Sequence, residues 1–234
     1  MANAWKTVWE RHGTPSENPE LADLLEADGF DTPYGKMSAE VWSTYVSRIY
    51  RLVGLVPGDS LYDVGCGSGA FLYPAYTSGI TVGGLDYSTS LVRVARRAMP
   101  TGEFTVGEAA ALDTSSHYDV VASCAVFLYF DTLAYAEEVI RRMSRKARRA
   151  VVILDIPDAA MAEAALAHRQ AAFEDRHAYE ERYKGLDHKF YDRDWVIAIL
   201  QAVGLIDVRV QRQEVAGYDN AQFRFNVFGW IPAS

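Results

Sequence analysis

The residues best suited to chemistry come together in one short run, Leu61 to Phe71, which reads LYDVGCGSGAF. An apolar stretch leads into Asp63, and Gly65, Gly67 and Gly69 follow at alternate positions, with Cys66 between the first two. Glycine inside a regular element costs roughly 0.5–1 kcal/mol against alanine, so this much backbone freedom marks a place where the chain must come close to something else. Among the five histidines, His188 stands out in GLDHKFYDRDW as a candidate base or substrate ligand, with Lys189 beside it and Tyr191 as a second catalytic candidate. His168 is a substrate-side candidate from the same region. The two cysteines, Cys66 and Cys124, lie in apolar, strand-like segments without the paired spacing of a metal site, so they read as reduced thiols and no metal is called for.

The elements that must position these groups follow from patterning. From residue 60 onward, short β-branched or aromatic runs alternate with amphipathic helical stretches, which implies a mostly parallel sheet wrapped by helices. Strands are expected near 60–64, 81–86, 103–106, 118–123 and 150–156, with helices near 70–78, 90–99 and 132–143 between them. A helix in DRDWVIAILQAVGL, with Gly204 as its stop, precedes two alternating segments, 207–213 and 223–230, suited to an antiparallel edge. The second of these sets Arg224 and Asn226 on one face, where an anionic substrate group or an internal ion pair would satisfy the arginine. Two regions stand outside the alternation: the aromatic-rich first fifty-five residues and 157–190, expected as a long polar helix plus a loop. The organisation expected is one domain over 1–234, with a helical lid (1–55), a cofactor-binding core (56–156), a helical insertion (157–190) and a C-terminal helix with edge strands (191–234).

Half of the 234 residues are hydrophobic and 23% are charged, an ordinary globular balance. The formal charge of −8, from 31 acidic and 23 basic residues, disfavours nucleic acid and anionic membranes as partners. The basic run Arg141, Arg142, Arg145, Lys146, Arg148 and Arg149 falls at the end of an expected helix, where cations oppose the helix dipole. The N-terminus lacks the apolar core of a signal peptide and no run of about eighteen apolar residues occurs, so a cytoplasmic monomer or homodimer is expected.

Two cofactors compete for the glycine loop, a dinucleotide and S-adenosylmethionine. The dinucleotide fingerprint G-x-G-x-x-G needs its third glycine one residue later than Gly69. Asp63-Val64-Gly65-Cys66-Gly67-Ser68-Gly69 instead resembles the first motif of the class I S-adenosylmethionine-dependent methyltransferases, an acidic and an apolar residue followed by G-x-G-x-G. Asp86, 17 residues after Gly69 at the end of the next strand, looks like that family's ribose-binding acid, with Tyr87 following. Glu108 and Ala109 resemble the element beside the adenine, although the family usually has aspartate at the first position. YDVVASCAVFLYF looks like the fourth-strand motif, which brings Cys124 towards the methionine end and Phe127 and Tyr129 towards the substrate.

The resemblance covers about 41–156 and implies a Rossmann-like α/β fold of seven mostly parallel strands with an antiparallel C-terminal edge. It further implies methyl transfer from S-adenosylmethionine, with S-adenosylhomocysteine as product, to a small-molecule acceptor, in specialised metabolism such as antibiotic biosynthesis. Tyr34 and Trp42 sit where the family closes a lid, so Tyr34 is expected at the cofactor and Trp42, with Arg224, at the substrate. No metal is demanded by an in-line displacement at a sulfonium. Whether the acceptor atom is oxygen, nitrogen or carbon stays open, with a lean away from nitrogen because the family's acidic or Asn-Pro motif is replaced by Ser123-Cys124-Ala125-Val126. Three alternatives also stay open: a non-methylating enzyme of the same fold, a non-catalytic partner subunit, and a nicotinamide-dependent oxidoreductase.

Overall fold

The computed structural model describes residues 4–32 and 35–233, with the side chains of 31, 32, 35 and 36 left aside. Three elements and a two-stranded ribbon precede the sheet: α1 (Ala4–Trp9), α2 (Leu21–Ala27), the ribbon β1 (Asp31–Thr32) with β2 (Gly35–Lys36), and α3 (Ala39–Leu52). Then β3 (Ser60–Val64), α4 (Tyr73–Thr77), β4 (Thr81–Asp86), α5 (Thr89–Ala98), β5 (Glu103–Val106), β6 (Tyr118–Cys124), α6 (Leu133–Lys146) and β7 (Ala147–Pro157) alternate as expected. The chain finishes with α7 (Ala162–Gln170), α8 (Arg176–Arg182), α9 (Arg193–Ala202), β8 (Ile206–Arg212) and β9 (Arg224–Trp230).

The seven-stranded sheet has the order β5-β4-β3-β6-β7-β9-β8. The first five strands are parallel, and β9 runs antiparallel to both β7 and β8, so the reversed strand is second from the edge. Period-two alternation divides the apolar residues between two cores. Leu61, Val120 and Val152 face one side with Trp42, Ile49 and Val92, while Tyr62, Val121 and Val151 face the other with Ile140, Met143, Val196 and Leu200. Burial on both faces is what a parallel sheet requires. Side-chain caps start the flanking helices: Ser38, Ser88, Thr132 and Asp192 each accept the amide of the residue three places on, at 3.0–3.3 Å.

Three local expectations need correction. Strand β7 begins at Ala147, three residues early. Helix α4 is confined to five residues because the loop runs on to Leu72. The insertion holds two helices rather than one long one, since Asp175 re-caps the chain by accepting the Ala178 amide at 2.8 Å. Among the described residues no helix is long and apolar enough to cross a membrane.

The order of strands turns back between β3 and β6, leaving a crevice outside their carboxyl ends, the usual ligand position in such sheets. The return of the insertion is bound tightly to that edge. The Lys189 amide donates to the Leu128 carbonyl at 2.9 Å and the Tyr191 amide to Pro157 at 2.8 Å, and Asp158 pairs with Tyr191 in an isolated bridge.

Candidate active site

A cavity of about 890 Å³ opens over the carboxyl ends of β3, β4, β6 and β7. Its floor is the glycine loop. Gly65 and Gly67 have φ of +81° and +53°, a left-handed region that disfavours side chains. A Cβ on Gly65 would collide with Val126, and one on Gly67 with the carboxylate of Asp28. The loop's amides are already engaged: Gly67 donates to Asp86 Oδ2 at 2.9 Å, and Ser68 and Ala70 donate to the two Asp28 oxygens at 2.6 and 3.3 Å. What the loop offers a ligand is therefore close approach to carboxylates, rather than free amides.

Carboxylates line this half of the cavity, among them Asp28, Asp63, Asp86 and Glu108. Burial pushes the carboxyl of Asp28 up to about 7, and those of Asp63 and Asp86 also up, with mutual repulsion adding to the effect. Asp63 Oδ1 is buried with no hydrogen-bond partner among the described residues. Exposed Lys6 offsets Glu108 at 2.9 Å. Tyr87, Cys66, Ala109 and Cys124 complete the wall, and Trp42 lies against it while its Nε1 donates to the Ala70 carbonyl at 2.8 Å. Uncompensated negative charge around a glycine cradle suits a compact cation, and S-adenosylmethionine carries two positive centres, a sulfonium and an ammonium.

The other half is aromatic and basic. Trp5 packs on Tyr129 with centroids 4.7 Å apart and stacks on His188 at 5.2 Å, and Trp9 meets Tyr129 edge-on at 5.5 Å. Arg169, Arg182 and Arg224 reach this end together with Asp155. Asp155 sits at φ +60° where the β7–β9 register shifts, and that bulge turns its side chain toward the cavity. Its amide donates to Asn226 Oδ1 at 2.9 Å, and the Tyr218 hydroxyl donates to Oδ2 at 3.1 Å. Burial pushes its carboxyl up, and the nearby Arg224 cation and the Tyr218 hydroxyl pull it partly back.

Several expected site residues require correction. Tyr191 is fully buried away from the cavity, its hydroxyl donating to the Phe127 carbonyl at 2.8 Å. Phe127 belongs to the core, packed between Phe130 and Tyr191, and its neighbours Leu128 and Tyr129 face the cavity instead. His168 lies on α7 against Phe223, centroids 5.3 Å apart, outside the cavity wall. Gly69 faces Met99 of α5 at the back of the loop. Tyr34 lies outside the described residues.

His188 does line the cavity, but as a base it is badly set up. Arg169 Nη1 lies 2.5 Å from its Nδ1, and that contact assigns the lone pair to Nδ1 and the proton to Nε2. Burial and the Arg169 and Arg224 cations push its pKa well below the ordinary value, so it is a neutral hydrogen-bond donor. Sequence reasoning missed Asp28, Asp155 and Arg169. For Asp155 a signal existed, a lone acid in the apolar run VVILDIP, whereas Asp28 in EADGF is indistinguishable from a helix end.

A family model described as a methyltransferase domain matches residues 61–149, the stretch that builds β3 to the start of β7. Residues 61–149 thus match a methyltransferase domain. Around that domain the likenesses are broad. A dTDP-4-amino-2,3,4,6-tetradeoxy-D-glucose N,N-dimethyltransferase of Saccharopolyspora spinosa is 28% identical over 135 residues, 56% of this chain and 54% of that protein. Nocamycin O-methyltransferase of Saccharothrix syringae is 34% identical over 118 residues, 46% of this chain and 42% of the other. The chain thus spans about half the length of the curated relatives it matches. The crystal structure of a Synechocystis magnesium protoporphyrin IX methyltransferase with S-adenosylhomocysteine bound shares the fold at TM-score 0.61 and 19% identity, covering 83% of each chain.

Proposed function

We propose that the methyltransferase domain binds S-adenosylmethionine at the acidic half of the cavity and transfers its methyl group to a small-molecule acceptor in the aromatic and basic half. The observation that carries this reading is the crowd of carboxylates, Asp28, Asp63, Asp86 and Glu108, around the glycine loop. A cationic ligand relieves their repulsion, whereas a dinucleotide pyrophosphate would add to it. Bound there, S-adenosylmethionine supplies a methyl group on a sulfonium, which leaves as a neutral thioether.

In this reading Asp86 accepts from the ribose hydroxyls, Glu108 flanks the adenine, and Asp63 and Asp28 face the ammonium end. Trp5, Trp9 and Tyr129 exclude water from the transfer path. An acceptor hydroxyl or amine that takes the methyl group must lose a proton, and Asp155, which lines the cavity, would receive it. Burial raises its pKa and so makes it a stronger base than a solvated carboxylate. A cavity of about 890 Å³ favours a compact acceptor over a polymer, and relatives named for an amino-sugar and for nocamycin support a place in specialised metabolism. Titration calorimetry with S-adenosylmethionine and with S-adenosylhomocysteine tests the proposal. Micromolar binding of both is expected, and the absence of heat with either refutes it.

A further inference from the structure

The two ends of the cavity are opposite in charge, and the basic end has an arginine that the fold itself does not satisfy. Arg224 opens β9 beside Pro157 and is only 6% exposed, yet it lines the cavity. Its Nη1 is buried with no hydrogen-bond partner among the described residues. Among the described residues, the internal ion pair that would account for such a residue is not formed. The Asp158 carboxylate at the same strand end is taken by Arg193 Nη2 at 2.6 Å. Asp155, the acid whose field Arg224 feels, accepts from Tyr218 at 3.1 Å and from Gln213 at 3.5 Å instead. Arg169 and Arg182 line the same end, and His188 there is neutral. A buried guanidinium with an unmet donor is costly unless a ligand oxygen completes it.

We infer that Arg224 forms an oxyanion subsite for the acceptor, which carries a carboxylate or phosphate on a flat, apolar body that packs against Trp5, Trp9 and Tyr129. The word acceptor rests on the methyl-transfer reading, but the anion site does not. An oxyacid presents two coplanar oxygens to a guanidinium fork, which matches Arg224 better than a neutral amide can.

Benzoate, phenyl phosphate and the neutral isostere benzamide are the probes, titrated by calorimetry into the full chain with and without S-adenosylhomocysteine. At least one anion should bind tenfold or more tightly than benzamide, and which of the two anions wins tells carboxylate from phosphate. In Arg224→Gln the preference should fall below twofold and in Arg224→Lys it should be partly kept, with S-adenosylhomocysteine affinity unchanged in both. Phenylglyoxal labelling of Arg224 in the wild type, read by peptide mass spectrometry and blocked by the preferred anion, keeps the test valid should the variants fold poorly. Equal binding of acid and amide, a preference that survives Arg224→Gln, or no binding of any probe at about 10 mM overturns the inference. Loss of cofactor affinity together with the anion preference also overturns it, because the anion held would then be the cofactor's own carboxylate. Absence of S-adenosylhomocysteine binding with the benzoate preference intact would refute the methyl-transfer reading while leaving the subsite standing.

Discussion

Replacing Asp28 by asparagine tests whether the acidic end of the cavity is held against its own charge. The Asp28 carboxyl accepts two loop amides, which alone would lower its pKa, but burial pushes it from 3.8 to about 7. A carboxyl raised on folding stabilises the fold below its unfolded pKa, and that contribution disappears as pH rises through the folded value. With the two pKa values at 3.8 and about 7, the contribution lost between pH 5 and pH 8 is roughly 2.5 kcal/mol. Asparagine keeps an oxygen for one amide and has nothing to ionise. Urea unfolding of both proteins at pH 5, 6, 7 and 8 should therefore show the wild type losing about 2.5 kcal/mol relative to Asp28→Asn as pH rises. A difference that stays flat within about 0.5 kcal/mol, or that changes in the opposite direction, would refute the electrostatic account of the site. Saturating S-adenosylmethionine should shrink the wild-type loss, since a bound cation favours the ionised carboxylate.

Two further outcomes are expected. Asp86→Ala should weaken S-adenosylhomocysteine binding by more than about tenfold, or 1.4 kcal/mol, in calorimetry, and unchanged affinity would remove the ribose assignment. Asp155→Asn should lower turnover of an acceptor found by screening by about 100-fold with cofactor affinity kept, and should abolish the acid limb of the pH–rate profile, because only the ionised carboxyl of Asp155 can take a proton.

Much of the acidic end of the cavity was legible because it is written locally. Gly65 and Gly67, Asp63 and Asp86 all fall at the ends of strands whose alternating apolar residues are read directly from the chain. The basic end was less so, because its groups come from elements far apart in sequence. Asn226 fixes the Asp155 backbone from 71 residues away, and at the acidic end Asp28 likewise reaches the loop across 40 residues to the Ser68 amide. Tyr191 looked catalytic by proximity to His188. The bridge to Asp158 turns its ring inward, an orientation set by pairing that no local pattern encodes. The break between α7 and α8 was in principle readable, since Asp175 three residues before Ala178 is an ordinary capping arrangement.

The hydrogen bonds that fasten 189–191 to Leu128 and Pro157 fix both feet of the excursion 158–190 within a single bridge of each other. For a span closed in this way the entropic cost of changing length is small, about 0.6 kcal/mol for each doubling. Helices α7 and α8 can accordingly be lengthened or shortened without straining the sheet beneath them. The roof over the basic end of the cavity, which carries Arg169 and Arg182, can in this way vary in length without moving the glycine loop beneath it.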